Sequence, residues 1–192
     1  RPRHILVGHL EHQFVMHLQQ HHRLQLRARQ RLVHPHHRSA NDVGGRSLPP
    51  YDSLNLGDHV GDDPLAVGAN RAVLAQALGA RPVFLQQVHG RGVVALDAHT
   101  PQGTEADACV ATDSGVVCTI MVADCLPVLL AHRSGLVVAA AHAGWRGLAG
   151  QGGVGVLESA MRSIFEQNTA LALNQQAQEA IKNVANDGAG IA

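Results

Sequence analysis

Aromatic residues are scarce in this 192-residue chain, at 3% of positions, which makes its one tryptophan, Trp145, conspicuous. The three cysteines, Cys109, Cys118 and Cys125, are an odd number and too few for a disulfide framework, so they read as reduced thiols. No run of 18 apolar residues is present, and no charged-then-apolar leader precedes a small-residue cleavage site. A helical membrane span and a secretory signal are therefore not visible, and the expected location is the cytoplasm. The glycine cluster at 150–155 is not followed by Gly-Lys-Ser/Thr, so it does not match a phosphate-binding P-loop. The chain starts at Arg1 rather than Met, and a fragment is therefore one expectation. What is present, 45% apolar residues in a chain of this length, suffices for one domain with a real core.

The net charge of zero conceals an uneven distribution. Residues 1–46 carry eight Arg against Glu11 and Asp42, and nine of the fourteen His lie before residue 40. An arm of this composition can bind nucleic acid or an anionic surface, and its HPHH run can bind metal. The simpler reading, adopted here, makes residues 1–43 a disordered or non-native extension, because no sustained apolar period runs through them. Nucleic acid and membrane are accordingly not expected partners.

From Gly44 the composition changes. GGRSLPPYDSLNLGDHVGDD is rich in the residues of turns and ordered loops, and Asn55, Asp58 and His59 are candidates for lining a site, with turn capping by the Asn and Asp side chains as the equal alternative. A helix is expected next, with Asp62 or Asp63 as N-cap, Pro64 in the first turn and Gly79 as stop. Its apolar face would hold Val67, Val73, Leu74, Ala77 and Leu78, with Arg71 as a surface or loop-tethering residue. PVFLQQVHGRGVVAL then reads as a strand, a turn at Gly90–Gly92 and a second strand, with His89 closing the first. TPQGTEADACVAT reads as a loop and a short strand, with Asp107 near a turn.

The stretch VVCTIMVADCLPVLLAHRSGLVVAAAHAGWRG, residues 116–147, organises the remainder. Its short Val-rich runs, bounded by turn signals, read as buried strands. If His132–Gly135 is a four-residue hairpin loop, Ala131 lies opposite Leu136 and Cys125 opposite His142. Directly opposed side chains share a face, with Cβ atoms roughly 4.5–5.5 Å apart. That separation suits two ligands of one metal, or a thiolate and its base. Pro127 cannot donate to a ladder and is a candidate bulge, and a one-residue slip would place the pair on opposite faces. Beyond Gly147 a Gly-rich segment leads to a helix with an apolar face of Val156, Leu157, Ala160, Met161, Ile164 and Phe165. Residues 171–192 read as a tail or weak helix stopping at Gly188.

His89, Cys125 and His142 together form a His2Cys set. Three N/S ligands with a fourth position left to water is the pattern of a catalytic zinc site. The competing reading is one buried cysteine and two structural histidines.

The segments PYDSLNLGDHVGDDP, NR, QVHG, EADACVAT, ADCLPVLL and HAGWRG, taken in order, resemble the YfiH-type family, described as multicopper polyphenol oxidases or laccases and as purine nucleoside phosphorylases. The resemblance covers Gly44 to about Leu148. It implies an α+β fold of mixed β-sheets flanked by helices, in a single domain spanning about 44–170. It also implies a zinc-dependent enzyme that cleaves purine nucleosides with phosphate and deaminates adenosine, with His89, Cys125 and His142 as metal ligands. The chain departs from the family in two places. HRSANDVGGRS stands where the family has a strand ending in Thr-Arg, and no Gly-Pro-x-Ile-Gly segment follows HAGWRG. Both ends are therefore expected to be foreign to the fold.

The expected partners are a purine nucleoside and phosphate. Asn55, Asp124 and Arg146 are the candidate catalytic residues. Asp124 would orient a ligand, act as acid or base, or cap the turn before Pro127, and Arg146 would add charge to an anion site at the backbone of Ala143–Gly147. Trp145 would stack on a base or fill core. The alternatives are a copper-dependent polyphenol oxidase, a hydrolase of a cell-wall amide with Cys125 as nucleophile and His142 as base, and an inactive truncated domain that binds metal without turnover.

Overall fold

The computed structural model describes residues 8–10, 13–18, 44–51 and 53–189. Its strands are β1 (Gly8–Leu10), β2 (Gln13–Leu18), β3 (Arg81–Val83), β4 (Val93–Leu96), β5 (Ala108–Ala111), β6 (Val116–Val122), β7 (Leu126–Ala131) and β8 (Val138–Ala143). The helices are α1 (Pro64–Leu78), α2 (Trp145–Ala149) and α3 (Val156–Ala189). Two mixed four-stranded sheets result, ordered β1-β2-β6-β3 and β4-β5-β8-β7. In the first, β6 runs antiparallel to β2 and parallel to β3. In the second, β8 is antiparallel to both neighbours while β4 and β5 are parallel. The fold is thus the expected α+β arrangement of mixed sheets flanked by helices.

Alternation along the strands explains the layering. On β6, Val116, Cys118, Ile120 and Val122 face one way, into a core shared with Cys109, Ala111, Val138 and Ala140 of the second sheet. The intervening Val117 and Met121 face the other way and pack with Leu74 and Leu78 of α1. On the second sheet the outward set is Ala108, Ala141 and Ala143 with Val156 and Ala160 of α3. Val110, Val137 and Ala139 pack with Ile164 of the same helix. The order of layers is therefore α1, first sheet, second sheet, α3. The run of alanines on β8 follows from its place between a helix and a facing sheet, where small side chains permit close approach. Ile120, fully buried between the sheets, is a position where truncation to Ala costs about 2–5 kcal/mol.

Helix α1 begins as expected. Asp63 accepts a hydrogen bond from the Leu65 N–H at 2.9 Å, Pro64 follows it, and Gly79 ends the helix at φ 64. Its buried stripe is Ala66, Val67, Asn70, Leu74 and Leu78. Val73, expected on that face, is exposed, and the polar Asn70 is buried in its stead. Asn70 accepts from the Arg46 N–H at 2.7 Å and donates to Ser47, the Ser53 carbonyl and the Asn55 carbonyl. It pins the 44–56 loop to the helix, which the apolar pattern alone does not signal.

Three further expectations are corrected. β3 and β4 do not form a hairpin: they lie in different sheets, and residues 84–92 cross between them. The β7–β8 register pairs Pro127 with His142 and Ala131 with Val138, two residues away from the expected pairing. The turn is displaced by one residue, with the His132 N–H bonded to the Val137 carbonyl at 2.8 Å. Pro127 causes no bulge, because the His142 N–H points away to Asp107 of the neighbouring strand, so the Pro127–His142 pair lacks ladder bonds. Finally, α3 is one continuous helix that joins the two stretches read separately, and of the tail or helix allowed for residues from 171 on it is the helix that forms, up to Ala189. Its buried positions are Val156, Ala160 and Ile164, while Met161 and Phe165 are exposed.

Within the stretch expected to be an extension, β1 and β2 continue the first sheet beyond β6. The rest of residues 1–43, including the HPHH run, lies outside the described residues.

Candidate metal centre

A two-residue shift of register preserves the face. His142 follows Val138 and Ala140 on the inner side of β8, at 3% exposure. Cys125 precedes β7 with the parity of Pro127 and packs against the same inter-sheet core. The two therefore meet diagonally at one end of the sandwich. His89 arrives from the segment that crosses between the sheets, and its φ of 59 is a left-handed conformation that only surrounding contacts can hold.

The ligand atoms of His89, Cys125 and His142 all lie within 4.8 Å of one another. His89 Nε2 is 3.7 Å from Cys125 Sγ, and the two imidazoles meet edge-on with centroids 4.6 Å apart. A tetrahedral zinc ion places N and S ligands roughly 3.5 Å apart, so the observed spacing needs only small rotations to close on an ion. Continuing the hairpin register by one step puts Gly144 opposite Cys125. A Cβ at Gly144 would come 2.9 Å from His89 Cδ2 and 3.1 Å from Cys125 Sγ. Glycine at this position keeps the space between the donors clear. By both donor chemistry and space, the trio fits a metal.

Asp107 organises the centre and was missed as a functional residue from sequence. Fully buried, it accepts from His142 Nδ1 at 2.8 Å and from the backbone N–H groups of Val88, His89 and Gly90 at 3.2, 2.8 and 2.6 Å. Burial by itself raises the pKa of this carboxyl. The hydrogen bond from His142 and those from the three N–H groups outweigh it, holding Asp107 below the ordinary carboxylate value. An ionised carboxylate only accepts, so His142 carries its proton on Nδ1 and turns Nε2 toward the other donors. The same carboxylate thus fixes one ligand's tautomer and the other ligand's backbone. The available signal was a lone acid leading into a wholly apolar strand, Ala106-Asp107-Ala108-Cys109-Val110, where an unpaired charge is untenable.

Cys125 borders the cleft, whereas Cys109 and Cys118 are buried between the sheets. Burial pushes the Cys125 thiol up, and the negative charge of Asp124, its hydrogen bond, and the charge of Asp107 add to this. An isolated nucleophilic thiolate is disfavoured in such surroundings. The imidazole in contact with it is that of His89, with Nε2 at 3.7 Å.

The centre opens onto a cleft of about 650 Å³. Asp124 stands beside the donors, exposed at the rim. Val60, Phe84, Leu85, Met121 and Val122 supply apolar walls, and Asp58, His59 and Arg71 supply a polar one. Asp58 and His59 are therefore brought to the site as expected candidates, and Arg71 joins them. Burial draws the Arg71 pKa down, opposed by the charge of Asp58 and by its close side-chain contact, an ion pair at 3.2 Å that falls short of good hydrogen-bond geometry. Asn55 is not at the cleft. It is buried in its loop, donating to the Gly57 carbonyl and to Asp62 and accepting from the Gly57 N–H. Arg146 and Trp145 lie on α2, with the guanidinium 5.3 Å from the indole ring, outside the cleft lining; Trp145 is 73% exposed and does not fill core.

Residues 36–177 match the family model described as multi-copper polyphenol oxidoreductase laccase. The chain belongs to this family. Among its relatives, the Escherichia coli (strain K12) protein named purine nucleoside phosphorylase YfiH is 51% identical over 132 residues, covering 68% of this chain and 52% of the relative. A Pseudomonas aeruginosa protein, also named purine nucleoside phosphorylase, is 54% identical over 121 residues, covering 63% and 48%. The crystal structure of a Neisseria meningitidis protein superposes with a TM-score of 0.60 at 36% identity, over 83% of this chain and 57% of that one. The chain spans about half the length of the curated relatives it matches. No helix among the described residues is long and apolar enough to cross a membrane.

Proposed function

We propose that this chain carries the catalytic centre of a zinc-dependent purine nucleoside phosphorylase that also deaminates adenosine. The observation that carries the reading is the convergence of His89, Cys125 and His142 at the end of an apolar-walled cleft of nucleoside size. The names of the relatives support the substrate class, a purine nucleoside with phosphate. When bound by the trio, zinc would supply a Lewis acid at the cleft wall.

The chain's own residues do the rest. The apolar walls hold the base and exclude water from it. In phosphorolysis a phosphate oxygen bonds to the sugar C1′ as the C1′–N9 bond breaks, and the bonding pair departs with the purine. The purine then requires a proton, and Asp124, exposed beside the donors, is the group placed to relay one from solvent. In deamination water replaces the C6 amino group and ammonia leaves, and Asp124 serves there as the proton shuttle. Asp107 keeps His142 in the Nδ1–H tautomer throughout. Asn55 contributes by bracing the loop that carries Asp58 and His59, while Arg146, on α2 outside the cleft lining, has no part in this scheme.

The family description favours a second reading, a copper-dependent polyphenol oxidase. A His2Cys set suits a single copper ion, but among the described residues no second group of donors stands ready for a multicopper cluster. One experiment separates the readings. Purified protein is incubated with adenosine and phosphate, adenine, inosine and hypoxanthine are followed by chromatography, and bound metal is measured in the same sample. Zinc with release of free base supports the proposal. Copper with oxygen uptake on a phenol supports the oxidase, metal-free amide hydrolysis a Cys125 hydrolase. Folded, zinc-loaded protein without turnover supports an inactive metal-binding domain.

A further inference from the structure

The polar wall of the cleft contains a cation held in a way that the metal centre does not explain. Arg71 lies in the middle of α1, with its side chain 19% exposed. Nε donates to the Leu56 carbonyl at 2.8 Å, and the guanidinium rests 4.1 Å over the Phe84 ring. Nη2 approaches the Asp58 carboxylate at 3.2 Å, yet this buried nitrogen makes no properly angled hydrogen bond among the described residues. The ion pair is thus a charge contact of poor geometry with an acid whose side chain is 61% exposed. Such a pair is weak and readily exchanged. A guanidinium braced on one face and at Nε, on a residue that lines a cleft, is preorganised for a planar or tetrahedral oxyanion once the carboxylate beside it moves away.

We propose that Arg71 anchors inorganic phosphate in this cleft, and that Asp58 is an intramolecular stand-in whose carboxylate phosphate displaces. The proposal rests on the phosphorolytic reading above and names the group that would hold its second substrate. The arrangement fits on three counts. Arg71 and the metal ligands line one cleft, so an anion and a nucleoside share a site. Phe84 fixes the guanidinium against the wall, so little side-chain entropy remains to be lost on binding. Asp58 sits on an exposed loop with His59 Nδ1 at 3.7 Å, a neighbour that can take up the carboxylate when Arg71 releases it.

Phosphate binding is measured by titration calorimetry on the wild-type protein and on Arg71→Gln and Asp58→Asn variants, with folding checked by circular dichroism. Arg71→Gln should weaken phosphate binding roughly ten- to hundredfold, the loss of a charge-assisted hydrogen bond. Asp58→Asn should tighten it roughly two- to fivefold, because the competing carboxylate is gone. A merely structural arginine would not produce opposite shifts in the two variants. Unchanged phosphate affinity in folded Arg71→Gln, or no tightening in Asp58→Asn, overturns the proposal. So does an Arg71-dependent affinity that belongs to adenosine monophosphate and not to free phosphate. Nucleoside turnover is assayed in parallel. Arg71-dependent phosphate binding without turnover refutes the phosphorylase reading while leaving the anion site standing. Turnover with a phosphate KM indifferent to Arg71→Gln does the reverse.

Discussion

Replacing Gly144 with alanine should separate metal affinity from fold stability. At φ −70 and ψ 158, Gly144 occupies extended backbone that alanine adopts freely. The substitution restricts the unfolded chain and should leave the metal-free protein as stable as before or about 0.4–1 kcal/mol more so. The added methyl group, however, would meet His89 Cδ2 at 2.9 Å and Cys125 Sγ at 3.1 Å. Carbon contacts settle at about 3.5–4.0 Å, so the two ligands must part by about half an ångström. Metal sites tolerate deviations of about 0.2 Å in ligand distance. The displaced ligands should therefore cost about ten- to hundredfold in metal affinity, or about 1.4–2.7 kcal/mol. Competition against a chromogenic zinc chelator reads the affinity, and thermal unfolding in excess chelator reads the metal-free fold. A variant that holds zinc as tightly as wild type would refute the reasoning, and so would one whose metal-free form melts as far below wild type as its affinity falls.

Asp107→Asn should lower metal affinity about ten- to hundredfold and also destabilise the metal-free fold by about 1–3 kcal/mol, because its amide N–H2 would face backbone donors now served by a carboxylate; calorimetric melting and chelator competition check both. His89→Gly should abolish metal binding while leaving the metal-free protein no less stable, since glycine relieves a left-handed cost of about 1–2 kcal/mol at φ 59; a drop in melting temperature in chelator would contradict this. Asp62 hydrogen-bonds Ser47, Asn55 and its neighbouring N–H. Burial raises its pKa, but these bonds outweigh it and hold the group below the ordinary value of 3.8. Its contribution is therefore present above about pH 4 and is lost as pH falls through the depressed folded value. Acid titration of the 44–63 loop by hydrogen exchange should show that loss in wild type and not in Asp62→Asn.

How much of this was legible in the sequence depends on the range of the contacts concerned. The caps of α1 were readable because Asp63, Pro64 and Gly79 act on their own neighbours. The hairpin and the shared face of Cys125 and His142 were readable because strand parity survives a two-residue error in register, though it would not survive an error of one. The separation of β3 from β4 was not readable, since a Gly-bounded turn and a crossover look alike until the sheets are assembled. Asn70 and Asp107 were passed over as functional for a related reason. Each satisfies several distant backbone groups, and no local pattern marks which loop a buried amide or carboxylate will serve. Asn55 shows the opposite ambiguity: a polar loop residue can face a ligand or cap its own turn, and only the assembled fold shows that it serves the turn. Arg71 could be placed on its helix, but not beside Phe84 and Asp58, without the fold.

The three candidate metal ligands come from the segments that pass from one sheet to the other and from the end of the interior strand β8. His89 lies on the crossing from β3 to β4, and Cys125 on the crossing from β6 to β7. An ion held between them and His142 is a reversible cross-link closing chain loops of 36 residues and of 142 − 125 = 17 residues. Cross-links of this span restrain the open chain more than they restrain the native one. Metal uptake therefore tests topology as well as chemistry, because both crossings must be in place before the three ligand atoms converge. The clasp also sits at one extremity of the sandwich, opposite the stretch of α3 that leaves the sheets. The shared core between the sheets, with Cys125 packed against it, is closed without any ion, so uptake of one would fasten a joint that the apolar packing has already made.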